Sequence, residues 1–226
     1  MTMPVEIRRH SARFTERSQG RLTQHSLSFG SHYDPGRLRI GPMVCHDDHI
    51  LGAGKGFESH RHSGLEIVTW VVSGALEHTG PQGREVVEAG SVAILSTGSG
   101  AEHSEMATQP LTRFIQVWLT APEASASTAP SYAVTPVTLV PGTALPVAEP
   151  RPGAAFSVVR LETGQLATLP TGDLVHVFVA TGALGRSSMA EPLTAGDAFI
   201  FTDEPAHTVT ATVPTDLLVW TFTNQT

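Results

Sequence analysis

The same strand-and-turn phrase is written twice along this chain, and that repetition limits the fold more than any other feature. Gly64-Leu-Glu-Ile-Val-Thr-Trp-Val-Val-Ser-Gly-Ala-Leu returns as Gly172-Asp-Leu-Val-His-Val-Phe-Val-Ala-Thr-Gly-Ala-Leu. Ala89-Gly-Ser-Val-Ala-Ile-Leu returns as Ala195-Gly-Asp-Ala-Phe-Ile-Phe, and Ala101-Glu-His-Ser-Glu105 as Pro205-Ala-His-Thr-Val209. Gln116-Val-Trp118 returns as Leu218-Val-Trp220, and the offset falls only from 108 residues (64 to 172) to 102 (116 to 218). Matches that keep their order and spacing point to a duplicated domain. Each repeated run is β-branched or aromatic and ends on a glycine turn, which predicts strands rather than helices.

Strands are expected at Leu65–Val72, Arg84–Glu88, Val92–Leu95 and Thr112–Leu119 in the first half. In the second they are expected at Ala155–Leu161, Leu174–Ala180, Ala198–Phe201, His207–Ala211 and Leu217–Phe222. Many short strands with regular turn signals indicate an all-β sandwich or barrel. Between the halves, residues 121–153 hold seven prolines, which exclude a long helix or a central strand there. The expected domains are therefore 1–120 and 154–226, joined by a proline-rich linker over 121–153.

Composition excludes several classes. The net charge of -7 and the single lysine, Lys55, argue against direct binding of nucleic acid along its phosphates. The one cysteine, Cys45, allows no internal disulfide and no cysteine-based zinc site. No apolar run is long enough for a membrane span, and the first residues lack the apolar core of a secretory signal. A cytoplasmic protein is expected.

Histidine is concentrated instead. Six of the eleven fall between His46 and His103. His60 and His62 precede the strongest strand, and in an extended segment residues i and i+2 share a face. His103 and Glu105 repeat that spacing about forty residues later, after Gly98-Ser-Gly100. Brought together, they make three imidazoles and a carboxylate, with positions left for water or substrate. That set suits Fe(II), and also Zn, Cu, Ni or Mn. The second half supplies a control within the chain. Its counterparts of His60 and His62 fall near Thr168 and Pro170, and Val209 replaces Glu105, so one metal is expected, in the first half.

At these residues the sequence resembles the pirin family, a branch of the cupin superfamily. The family pattern is His-x-His before a Glu-x-Val-Thr-Tyr strand, a Gly-Glu-His turn, then Gly-x-Gly-x-x-His-x-Glu. Here it stands as His60-Arg-His62-Ser-Gly-Leu-Glu66-Ile-Val-Thr-Trp70, Ser73-Gly-Ala-Leu-Glu-His78 and Gly98-Ser-Gly100-Ala-Glu-His103-Ser-Glu105. His25–Pro35 is similar to the family's leading strand. The chain departs from the pattern at Arg61, where many members have proline, and at Trp70, where the pattern has tyrosine.

The resemblance implies a bicupin: two tandem cupin-type β-barrels, each a double-stranded β-helix, with the metal in the first. It implies His60, His62, His103 and Glu105 as ligands of one divalent metal, Fe(II) foremost. Glu66 and His78 are then expected to support the ligands, and Phe57, Trp70, Ile94 and Met106 to line the pocket. The implied activity is that of a quercetin 2,3-dioxygenase, an oxidoreductase acting on a small aromatic substrate, with Glu105 taking the flavonol hydroxyl proton. The alternative is a non-enzymatic regulator that binds a protein partner according to the metal's redox state. A monomer is expected, because duplication already supplies two domains.

Overall fold

The computed structural model describes residues 5–187 and 191–223. Among these, regular structure is β apart from three single-turn 3-10 segments at His10–Ala12, Pro35–Arg37 and Glu123–Ser125. The strands run in order from β1 (Val5–Arg8), β2 (Phe14–Ser18) and β3 (Arg21–His25) to β4 (Met43–Leu51), β5 (Gly56–His62) and β6 (Leu65–Ser73). Next come β7 (Ala75–Gly80), β8 (Gly83–Glu88), β9 (Ser91–Ser96), β10 (Ala101–Ala107), β11 (Thr112–Thr120) and β12 (Ser131–Pro136). β13 (Ala144–Arg151), β14 (Ala154–Leu161), β15 (Leu166–Thr168), β16 (Leu174–Thr181) and β17 (Ala183–Leu184) follow. The last are β18 (Leu193–Thr194), β19 (Ala198–Thr202), β20 (Thr208–Thr210) and β21 (Thr215–Phe222).

The chain divides into two compact units. One is Arg13–Val137; the other joins the residues up to Ala12 with those from Thr138 onward. In the first unit a seven-stranded sheet, β12-β9-β6-β11-β4-β3-β2, faces a four-stranded sheet, β5-β10-β7-β8. Leu51, Val71, Ala93 and Phe114 from the large sheet meet Leu76, Val87 and Ala107 from the small one in a shared core. Central β6 is buried continuously from Glu66 to Val71, as a strand with neighbours on both sides should be.

These sheets correct the expected architecture. The fold is all-β, but among the described residues no sheet closes into a barrel, so the anticipated pair of cupin-type β-barrels is not formed. Each unit is instead built from open sheets with unpaired end strands. The end strands show why closure fails. β2 exposes Thr15 to Ser18, and β12 carries Pro136, which lacks a donor. Charged, solvated and proline-bearing edges are the usual means of stopping further pairing. His25–Pro35 is mostly not strand: β3 ends at His25, and the loop beyond it carries the isolated bridge Phe29–His32 and the start of a 3-10 turn.

The second unit contains the six-stranded sheet β1-β19-β16-β21-β14-β13 and two short pairs, β15-β20 and β17-β18. Its core gathers Val175, Val177, Phe199, Phe201, Leu217 and Val219. β15 pairs with β20 antiparallel, as β5 pairs with β10 in the first unit.

Candidate metal centre

The centre begins with one strand pair. β5 and β10 run antiparallel, with His103 opposite His60 and Ala101 opposite His62. Alternation places His60 and His62 on one face of β5 and the exposed Arg61 away from it. On β10, Ala101, His103, Glu105 and Ala107 are buried, while Glu102, Ser104 and Met106 alternate with them. The register shifts between His103 and Glu105, a bulge in the ladder beside the site.

The three imidazoles converge. Their ring centroids stand 4.4 Å apart for His60–His103, 4.9 Å for His60–His62 and 5.3 Å for His62–His103. One ligand atom from each lies within 4.8 Å of the others, so the group could hold a metal ion. Glu105 is not part of that group, but its carboxylate lines the adjoining cavity together with His60 and His62.

The ring nitrogens fit a metal. His60 Nδ1 lies 2.7 Å from the Glu58 carbonyl oxygen, which can only accept. Its proton therefore sits on Nδ1, and Nε2 carries a lone pair. His62 Nε2 and His103 Nε2 are both buried and meet no hydrogen-bond partner. His103 Nδ1 is 3.2 Å from His78 Nε2 and donates to it in the tautomer that leaves His103 Nε2 free to ligate. Burial, helped by neighbouring imidazoles, pushes the pKa of His62 down to about 4 and that of His103 to about 3. Both rings are neutral at pH 7, the form a metal requires.

His78 is fixed from its other side. Its ring stacks on Tyr132 at 3.7 Å with 9° between planes. A Cβ at Gly80 would come within 2.7 Å of the His78 ring, so that position makes room for the imidazole.

Glu105 stands in a polar chain. It is 4% exposed, and burial raises its pKa to about 7 against the opposing effect of its bond from Gln116. Gln116 Nε2 donates to Glu105 Oε1 at 2.8 Å and to Thr69 Oγ1 at 3.2 Å. Trp118 Nε1 donates to Gln116 Oε1 at 2.9 Å, which fixes the direction of that amide.

The cavity is about 540 Å³, and its apolar walls are Phe29, Phe57 and Trp118. Trp118 also packs against His62 at 4.6 Å. Of the expected pocket residues, Phe57 lines this space; Trp70, Ile94 and Met106 do not. Trp70 is buried, with Val92 as its cross-strand neighbour on β9. Met106 alternates out of the inward row of β10. Glu66 accepts a bond from Ser96 away from the cavity lining. Arg61 points away from the imidazoles: its Nη2 donates to the Ser99 carbonyl at 3.1 Å, in space left by Gly100. Sequence reasoning passed over Thr23, His25, Asp47, His49, Gln116 and Trp118, all of which line the cavity. Alternation along β3, β4 and β11 was the signal that could have found them.

The family model described as Pirin matches residues 7–119. A Mycobacterium tuberculosis protein, whose name proposes a quercetin 2,3-dioxygenase, is 36% identical over 97% of this chain and 96% of its own length. A pirin-like protein of Caulobacter vibrioides is 31% identical over 87% of this chain and 90% of its own. Among solved structures, the Escherichia coli pirin YhhW in complex with nickel(II) superposes with a TM-score of 0.84. That match has 24% identity and covers 96% of this chain and 97% of the other.

Proposed function

The chain belongs to the pirin family, and from that membership we propose that it is a metal-dependent dioxygenase acting on quercetin-like flavonols with O₂. The observation that carries the reading is the triad of converging imidazoles, two of them with unpartnered buried Nε2 atoms, beside a cavity with aromatic walls. His60, His62 and His103 would hold the metal, with Glu105 completing the set. Nitrogen and oxygen donors suit Fe(II), and nickel(II) is the ion of the E. coli relative. When bound, the metal supplies a Lewis acid for a phenolic oxygen and a redox partner for O₂.

The protein's own groups prepare the substrate. Glu105, with a pKa near neutrality, accepts the proton of the flavonol hydroxyl as the substrate enters. Gln116, oriented by Trp118, keeps the carboxylate turned toward its bond. Phe29, Phe57 and Trp118 present flat apolar surface to a flat ligand and displace water from the reacting oxygen.

Metal analysis and oxygen uptake test the reading together. Protein purified without chelators should carry a transition metal in near-stoichiometric amount, and His62→Ala should lose it. Loaded wild-type protein should consume O₂ with quercetin, and Glu105→Gln should be slower by roughly a hundredfold. If no iron-, copper- or nickel-loaded form consumes O₂ with quercetin, the dioxygenase reading fails.

A further inference from the structure

The inner face of the large sheet changes character along its strands. One end carries Leu51, Val71 and Phe114 in the core. Toward the cavity a polar row crosses three neighbouring strands: His25 on β3 is opposite Asp47 on β4, and Asp47 is opposite Gln116 on β11. All three line the cavity that also holds His60, His62 and Glu105. A sheet that buries such a row on its inner face needs something to satisfy it.

Gln116 is already fully engaged, by Glu105, Thr69 and Trp118. Asp47 is not. It is 4% exposed, and its Oδ2 forms an ion pair with His25 Nδ1 at 2.9 Å. Its Oδ1 is buried and has no hydrogen-bond partner. The Cys45 thiol, two residues earlier on the same face, is a weak donor beside it. His25 is flanked on its other nitrogen by Glu16 at 3.7 Å. Burial would lower the His25 pKa, but the carboxylates of Asp47 and Glu16 outweigh it and raise the pKa above its ordinary value. A buried carboxylate oxygen with no donor better than a nearby thiol is costly, and a hydroxyl is the small group that satisfies it best.

We propose that Asp47, neutralised by His25, is a specificity-determining acceptor for a ring hydroxyl of a polyhydroxylated aromatic substrate, one remote from the oxygen presented to the metal. This rests on the flavonol reading above, and it names the wall that distinguishes a hydroxylated flavonol from a bare one. Phe29 and Phe57 contact any flat ring alike; Asp47 rewards only a ring with a hydrogen-bond donor.

The test is anaerobic titration calorimetry of the metal-loaded protein with two probes, quercetin and 3-hydroxyflavone, which shares the core but lacks the outer hydroxyls. Wild-type protein should bind quercetin at least tenfold more tightly. Asp47→Asn should remove most of that preference by weakening quercetin about tenfold, leaving 3-hydroxyflavone within twofold. If Asp47→Asn does not fold, His25→Asn, which strips the neutralising partner, should reduce the preference in the same direction. Equal affinities in the wild type, a preference that survives both variants, or failure to bind either probe overturns the proposal. A preference that behaves as expected in protein that consumes no O₂ sinks the dioxygenase reading and leaves this one standing.

Discussion

His103 is held at one end of its ring. Nδ1 faces His78, and Nε2 faces the other two imidazoles without a partner of its own. Groups that orient a metal ligand through its distal nitrogen contribute to affinity without touching the ion. His78→Phe keeps the aromatic stack on Tyr132 and removes only the acceptor. It should weaken metal binding by roughly ten- to a hundredfold, read by competition with a chelator, while the folded signal is retained. Wild-type affinity in that variant would show that His78 serves packing alone. At this scale the sequence was informative about which histidines converge and poor about the cavity walls. Paired i, i+2 spacing announces histidines that share a face, because strand geometry is local. Asp47 and His25 are separated by a long stretch of chain and become neighbours only through the β3–β4 pairing, which no local pattern reports.

The β5–β10 pair is the element that makes the site, and its close approach depends on Gly56. A Cβ there would come within 1.9 Å of the Glu105 carbonyl oxygen and 2.8 Å of Met106 Cα. Both are backbone atoms and cannot swing aside. Gly56→Ala should therefore force the two ligand strands apart, costing about 1–3 kcal/mol in stability. Its metal occupancy should fall as well, and thermal melts with metal analysis of the same sample check both. A variant that melts and loads like the wild type would show that the strands can part without harm. Strand positions were legible from β-branched runs and glycine turns. Closure was not, since a run of residues looks the same at a seam as at an edge. What decides it is which strands lack a partner: β2 with its solvated residues and β12 with Pro136 end the large sheet. Trp70 shows the same limit, because its apolar strand announces burial without saying on which side of the sheet the cavity lies.

Across the whole molecule, protonation bears on stability in a definite direction. Burial lowers the pKa of His46, His49, His62 and His78 to about 4, and that of His103 to about 3. In the unfolded chain each takes its proton near pH 6.5. As pH falls below that value the unfolded state binds protons the native state refuses, so stability declines until the folded pKa values are reached. Glu105 works the other way: its pKa is raised to about 7, so its effect favours the native state at low pH and is lost between about 4.5 and 7. His25, whose pKa is raised by Asp47 and Glu16 against the effect of burial, also favours the native state on acidification. Five groups against two still give a net loss on acidification. The melting temperature of metal-free protein should drop by several degrees between pH 7 and pH 5, and a flat or rising profile would contradict the buried neutral rings. The internal repeat read from the sequence has its spatial counterpart here too, in β15–β20 pairing as β5–β10 does. The division between units was harder to foresee, since β1 takes its place through a pairing with β19 that nothing near it announces.

That pairing sets an order of assembly. β1 leaves the ribosome ahead of the metal-bearing unit, yet its partner β19 is made long after that unit's last strand. Residues 13–137 can therefore complete their sheets while β1 is still waiting. Arg9 and His10 then fasten the early strand by closing on the buried Asp197 carboxylate. In sequence, residues 13–137 are an insertion between the two stretches that build the other unit, so that unit's sheet waits on the last-made strands.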